Sequence, residues 1–210
     1  QYFGSSILTI NGGEPLLLKN IASMLIMARD HGYATTLSTN GTLLKENTEI
    51  LSYLDAISIP MDSLTQKTSS VLRAPLSNHH QIAMEAIRII NDTGEKIHVK
   101  LGTVVTSINL SEIIPIGSEI KKRKLRINTW KLFQYKAVGF RRNHPMRSKL
   151  EIGREKFDSI CKAARLVFPD CHITDQPNDT EGLYFLIRPD GSITAQLDGK
   201  GNANPDLGNI

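Results

Sequence analysis

Cysteine is scarce in this 210-residue sequence, which contains only Cys161 and Cys171. Their spacing matches neither a metal-ligand pattern nor a disulfide-rich scaffold. Two unpatterned cysteines are typical of proteins from a reducing compartment. We therefore expect a cytoplasmic protein with no metal site formed by the residues of this chain.

Long apolar runs and strong net charge are also missing. No run approaches the ~18 residues of a membrane-spanning helix and no signal peptide opens the chain, so we expect no membrane association. Aromatic residues make up only 6%, and no stacking platform for bases is evident, which argues against nucleic-acid binding. Most of the net charge of +4 comes from residues 121–126 and 140–149. We interpret these as solvated surface, with attraction for phosphates as the alternative.

What the sequence does contain is a regular alternation of strand and helix patterns. Five apolar runs read as strands, at 5–11, 33–40, 55–61, 96–106 and 127–135. Helical patterns follow at 15–31, 43–54, 77–93, 109–122 and 153–166. Repeated strand–helix units predict an α/β fold with a parallel sheet and right-handed crossovers. Residues 183–197 read instead as a β-hairpin around a Pro-Asp-Gly turn.

The first strand ends in Asn-Gly-Gly-Glu-Pro at 11–15, where a parallel sheet places its ligands. Gly12 and Gly13 allow positive φ angles and leave room for a ligand against the backbone. Glu14 can accept hydrogen bonds from an ammonium group, and the helix start beside it offers amides to a carboxylate. This combination suits both ends of an amino acid. A plain tight turn would explain the glycines but not Glu14.

Polar and basic residues mark the later strands and the loops that follow them. They are Ser38, Asn40, Ser58, Arg73, Lys100 and Lys131. Lysines at the ends of adjacent strands can each reach a phosphate as a point charge. We expect the histidines to have no ligand role, with His31 at a helix end and His79 and His80 on the surface, and we expect Trp130 in the core.

These motifs resemble those of the radical S-adenosylmethionine (SAM) enzymes. GGEP after one strand, STNG after the next and ISIPMDS around the end of the third occur in that family's order, and the likeness covers nearly the whole chain. It implies a partial (β/α)6 TIM-like barrel, with about five β/α units present at residues 1–170, and an extension with a β-hairpin at 171–210. It also implies SAM and a [4Fe–4S] cluster as cofactors.

In that family the reduced cluster cleaves SAM, and the resulting 5′-deoxyadenosyl radical abstracts a hydrogen atom from the substrate. The resemblance implies that the methionine end of SAM is held by Gly12, Gly13, Glu14 and Pro15. It implies further contacts to SAM from Ser38, Asn40, Ser58, Arg73 and either Val104 or Val105. An electron donor such as a flavodoxin or ferredoxin would be a partner.

The second half of the chain resembles viperin and its microbial relatives, which dehydrate a nucleoside triphosphate. The segments VKLGTVVTSINL, TWKLFQY and LYFLIRPDGSI carry this likeness and imply substrate contacts from Lys100, Lys131 and Tyr184. Gly102 stands where viperin-type sequences carry asparagine, and Thr129 where they carry arginine. A peptide- or RNA-modifying radical enzyme is therefore the alternative to a nucleotide substrate.

The three closely spaced cysteines that hold the cluster in this family are missing from this sequence. Either the first strand and the cysteine loop precede Gln1, or the protein is a cluster-less module that binds SAM or a nucleotide. The sequence opens on Gln1 instead of methionine, and its five predicted strands begin where the family's second should. We therefore expect part of a longer protein, inactive by itself because it lacks cluster ligands.

Overall fold

The structure is a computed structural model that describes residues 5–73, 76, 78–137, 147–177, 183–188, 192–197 and 206–209. Within these ranges, no helix is both long and apolar enough to cross a membrane.

Six strands form one parallel sheet, and their order in the sheet follows their order in the sequence. They are β1 (Ile7–Ile10), β2 (Ala34–Ser38), β3 (Ala56–Pro60), β4 (His98–Val105), β5 (Thr129–Gln134) and β6 (His172–Gln176). Sequential order with right-handed crossovers puts the connecting helices on one face, and such a twisted sheet curls into a partial barrel. The predicted α/β fold with a partial barrel is confirmed.

The helices depart from their predicted bounds where local bonding interrupts them. The α-helices are α1 (Ile21–Asp30), α2 (Gln66–Leu72), α3 (His79–Asp92), α4 (Ile113–Lys122), α5 (Arg147–Leu150) and α6 (Arg154–Val167), and 3₁₀ segments span Pro15–Leu17, Lys45–Tyr53 and Leu110–Glu112. The helix predicted at 15–31 is split because Leu18 is extended. The one predicted at 43–54 is a 3₁₀ segment with non-helical backbone at Asn47, whose side-chain amide donates to the Leu43 carbonyl.

Three of these elements were not predicted from the sequence: β6, α2 and the short helix α5. β6 pairs with β5, with Thr129 opposite His172 at one end and Phe133 opposite Gln176 at the other. The sheet therefore has six strands instead of the five counted from the sequence. Only Ile173 of β6 is buried, and one apolar residue makes no strand pattern. Residues 66–72 are mostly polar, and α2 relies on the Thr65 side chain, which accepts a hydrogen bond from the Thr68 amide.

Alternation along the strands divides the sheet into two faces. Val99, Leu101, Trp130 and Leu132 are fully buried and belong to the core shared with the helices. Residues between them point the other way and are half-buried. We call this second side the open face. Trp130 lies in the core, as expected, and its Nε1 donates to Thr103 Oγ1 at 2.9 Å.

The predicted hairpin is present as an antiparallel pair. It consists of β7 (Leu183–Ile187) and β8 (Ser192–Leu197), and β9 (Asp206–Asn209) joins them in a three-stranded sheet. Turn residues 189–191 lie outside the described ranges. The parallel sheet continues to Gln176, beyond the division expected at residue 170. The division into barrel and extension itself stays a prediction.

Candidate functional site

The turn after β1 has left-handed backbone at two successive residues. The φ angle is +90° at Gly12 and +45° at Gly13, a region that favours glycine. A Cβ added at either glycine would meet nothing within 4 Å, so the space beside the turn is open. No described residue accepts a backbone hydrogen bond from either amide. The turn therefore presents accessible backbone amides to a ligand.

Glu14 joins this turn to the loop after β2. Its Oε1 accepts from Thr39 Oγ1 at 2.6 Å and from the Leu16 amide at 3.1 Å, and its Oε2 accepts from the Asn40 amide at 2.8 Å. It also caps the 3₁₀ turn, in which Pro15 is buried at the first position. A carboxylate has about four acceptor positions, so roughly one remains for a ligand. Sequence reasoning missed this structural role of Glu14.

Residues at the end of β2, in the loop after it and in β3 lie at the same edge of the sheet as the glycine turn. Ile10 pairs with Leu37, so the glycine turn begins beside the end of β2. Ser38 and Ser58 are register partners, both half-buried on the open face. The Asn40 side-chain oxygen accepts from both the amide and the hydroxyl of Thr42, so this asparagine also shapes its own loop.

Asp62 ties together the segments that follow β3 and β4. Its Oδ2 accepts from Arg73 Nε at 2.5 Å, and its Oδ1 accepts from the Val104 amide at 2.7 Å. Its carbonyl accepts from the side-chain amide of Asn109 at 2.7 Å. Arg73 directly follows α2, outside the helix as expected, and its contact with SAM stays a prediction.

Strand alternation places the two valines considered from the sequence on opposite faces of the sheet. Val105 is fully buried in the helix-side core, where its side chain cannot meet a ligand on the open face. Val104, the neighbour considered with it, is half-buried and faces the other way. Of the two valines, only Val104 therefore lies on the open face, and its contact with SAM stays a prediction.

His79 is buried, and the expectation of a surface histidine is wrong. It begins α3, is 2% exposed, and its Nε2 has no hydrogen-bond partner among the described residues. Burial, followed by the positive charge of Arg73, lowers its pKa to about 4. Helix α3 packs against the loop after β2. A Cβ built at Gly41 in this loop would lie only 2.9 Å from the Cβ of Ala86 in α3. This contact between distant segments could not be read from the sequence.

Acidification is expected to destabilise the protein through His79. The pKa of His79 is lower in the folded protein than in the unfolded chain. The contribution of neutral His79 to stability is therefore complete above pH 6.5, its ordinary pKa, and is lost as the pH falls toward about 4. The free energy of unfolding should fall by about 2 kcal/mol between about pH 7 and pH 5 from this residue. Urea denaturation at several pH values measures the slope. The variant His79→Gln should lose this slope and the exposed control His31→Gln should keep it, whereas equal slopes in all three proteins would contradict the assignment.

Lys100 and Lys131 lie on the open face on neighbouring strands. Lys100 pairs in register with Ser58 and Thr129, and Lys131 pairs with Gly102. The two lysines are thus diagonal neighbours, roughly 8 Å apart at their Cα atoms. Lys131 Nζ lies 4.8 Å from the centre of the Phe133 ring, a cation–π contact. Tyr184 belongs to β7, but its side chain lies outside the described part of the structure.

The two cysteines do not fit an iron–sulfur cluster. Cys161 is buried in α6 and Cys171 is half-buried after it. Burial raises the pKa of both thiols, that of Cys161 to about 12, whereas iron is bound by thiolates. Across the described ranges, no three potential metal ligands gather at one place.

Comparisons with known proteins extend this picture. The family model described as "Radical SAM superfamily" matches residues 2–117. An S-adenosylmethionine-dependent nucleotide dehydratase from Selenomonas ruminantium is 28% identical over an alignment of 191 residues, and the match covers 87% of this chain and 66% of that protein. A protein of the same description from Flammeovirga pacifica is 26% identical over an alignment of 195 residues, and the match covers 90% of this chain and 64% of that protein. The chain therefore spans a little under two thirds of the length of these relatives.

A solved structure shows the same fold. The structure described as native anSMEcpe with bound AdoMet superposes on this chain with a TM-score of 0.67 and 15% sequence identity. The superposition covers 100% of this chain and 65% of the anSMEcpe chain. The family match spans more than half of the sequence and includes the glycine turn, Glu14 and the strand ends through β4. The chain belongs to the radical SAM superfamily, whose members use SAM and a [4Fe–4S] cluster.

Proposed function

We propose that this chain forms the SAM-binding barrel of an enzyme that abstracts a hydrogen atom from an anionic substrate of the nucleoside triphosphate class. The observation that carries the proposal is the turn at Gly12 and Gly13, whose backbone is accessible and whose position Glu14 secures at the carboxyl edge of the sheet.

The chemistry of this edge fits the amino acid end of SAM. The amides of Gly12 and Gly13 can donate to a carboxylate, and the remaining acceptor position of Glu14 suits an ammonium group. The open-face side chains of Ser38, Ser58 and Val104 provide polar and apolar surface for the nucleoside part. Bound SAM supplies hydrogen-atom abstraction in this superfamily, and the residues of this chain would bind and orient it.

The cluster does not fit the cysteines of this chain, so no step of the proposal depends on them. We propose that its ligands come from a part of the protein outside these 210 residues. The reductant that such enzymes need would be a flavodoxin- or ferredoxin-type protein.

The substrate assignment is supported by the lysine pair. Ser38, Ser58 and Lys100 form one row across three strands, so Lys100 lies roughly 10 Å from Ser38 on the same face. A SAM molecule at the glycine turn and an anion at Lys100 and Lys131 could therefore share the open face. The two curated relatives are both described as nucleotide dehydratases.

Replacing the lysines separates the substrate site from the SAM site. Lys100→Met and Lys131→Met should each weaken binding of a nucleoside triphosphate about tenfold while SAM affinity is retained, because each removes one phosphate contact. Titration calorimetry of the purified protein measures both affinities. Lys96→Met, an exposed lysine just before β4, is the matched control. Unchanged triphosphate binding in both lysine variants would contradict the substrate assignment and favour a peptide or RNA substrate.

A second candidate is a SAM- or nucleotide-binding module without radical chemistry, which the cysteine misfit favours. The two candidates differ in the formation of 5′-deoxyadenosine by the complete protein after anaerobic cluster reconstitution and reduction. Formation of 5′-deoxyadenosine supports the enzyme, and SAM binding without cleavage supports the module.

A further inference from the structure

Two histidines of the open face take no part in the site described above. His98 begins β4 and His172 begins β6, and both are exposed. Strand alternation puts His98 on the same face as Lys100, two residues along. His172 pairs in register with Thr129, which in turn pairs with Lys100. The histidines therefore flank the lysines in the curved sheet.

His98 is held in position by its neighbour on β5. Its Nε2 lies 2.8 Å from Thr129 Oγ1, which leaves Nδ1 as the second ring nitrogen for a ligand. Partial burial, and then the positive charges of Lys100 and His172, lower the pKa of His98. Lys100 and His172 thus both lie close enough to His98 to oppose its protonation.

Among the described residues, the open-face register neighbours of His98, Lys100 and His172 carry no negative charge. Ala56 and Ser58 on β3 and Thr174 on β6 are uncharged register neighbours of this region, and β5 contributes Lys131. Asp175 follows on β6 but belongs to the opposite side, where it forms an ion pair with Arg165 of α6. Within the described part of the chain, basic side chains thus gather on the open face along β4, β5 and β6.

We propose that His98, Lys100, Lys131 and His172 form a basic patch that binds the phosphate part of the substrate, with His98 and His172 as additional binding residues. This inference rests on the proposed function in requiring an anionic substrate. Phosphate oxygens accept hydrogen bonds from imidazolium and ammonium groups, and such charge-assisted bonds are the stronger ones.

Protonation of His98 makes this binding depend on pH. In the empty patch, neighbouring positive charges oppose protonation of His98. A bound anion offsets that repulsion, so binding takes up protons. Affinity for the anion therefore rises as the pH falls through the ordinary range of histidine, and it falls again above that range.

Trimetaphosphate is a suitable probe because its acid groups are strong and stay ionised throughout this range. Calorimetric titration of the purified protein should show at least about threefold tighter binding at about pH 5.5 than at about pH 7.5. The double variant His98→Gln/His172→Gln should bind with the same affinity at both values. His31→Gln, an exposed histidine at the end of α1, should behave as the wild type.

The possible outcomes distinguish the basic patch from the proposed function. Loss of the pH dependence only in the double histidine variant supports the basic patch. If Lys100→Met/Lys131→Met abolishes binding but the histidine variant keeps the wild-type pH dependence, the inference is overturned and the proposed function stands. If the wild type does not bind the probe at either pH, the anionic substrate and the patch both fail, while SAM affinity measured in parallel still tests the cofactor site.

Discussion

Replacing Asp62 with alanine is expected to lower the free energy of unfolding by about 3–4 kcal/mol, which is among the largest effects of a single substitution in this chain. Asp62 is 4% exposed, and its carboxylate accepts from Arg73 Nε and from the Val104 amide. Alanine would leave the guanidinium without its counterion and the amide without an acceptor. Because the Arg73 side chain is 30% exposed, water compensates part of the loss, and the expected value stays near the lower end for broken buried pairs.

Chemical denaturation of three variants separates these contributions. Asp62→Asn keeps an oxygen for the Val104 amide and loses the charge, so it should be intermediate. Asp62→Ala/Arg73→Met removes both charges and should recover part of the lost stability, since no lone ion remains. Asp170→Ala changes an exposed aspartate and should have little effect. A double variant that is no more stable than Asp62→Ala would show that the ion pair is not the source of the loss.

Replacing Glu14 with alanine is expected to weaken SAM binding roughly a thousandfold, if the glycine turn is the cofactor site. The substitution removes the acceptor proposed for the ammonium group. It also removes the bonds from Thr39 Oγ1 and the Asn40 amide, which hold the β2 loop beside the turn. Binding would then have to order two loops that the carboxylate orders in advance.

Equilibrium binding of SAM, with circular dichroism as a check on folding, measures this loss. Glu14→Gln keeps the size and one acceptor oxygen but turns an NH2 group toward protein donors, so its affinity should lie between those of the wild type and Glu14→Ala. Glu95→Gln is the control, because Glu95 is an exposed acid in the loop before β4. A folded Glu14→Ala protein with wild-type SAM affinity would exclude the glycine turn as the cofactor site.

The strand–helix order could be predicted because hydrophobic periodicity is a local property. The five predicted strands are all present, since each contains alternating or continuous apolar residues that the core requires. β6 was not predicted because it lies at the edge of the sheet and buries only Ile173. α2 was not predicted because its residues are mostly polar and its helix depends on the Thr65 cap more than on an apolar face.

The candidate site was predictable only in part. Gly12 and Gly13 were identified because a positive φ angle favours glycine whatever surrounds it. Which of Val104 and Val105 lies on the open face was not evident, because two successive valines show no local alternation of apolar and polar residues. His79 was misplaced because its burial depends on the fit between α3 and the loop after β2.

The sequence by itself determined the backbone of the glycine turn, the alternation that gives the sheet a buried and an open face, and the shortage of thiols for a cluster. These properties depend on residue type and on spacing along the chain. Only the tertiary structure decided that Glu14 binds Thr39, 25 positions away, that Asp62 pairs with Arg73, and that His98 meets Thr129. Such pairs form because strand register and helix packing bring distant segments within hydrogen-bond distance, and no local pattern carries that information.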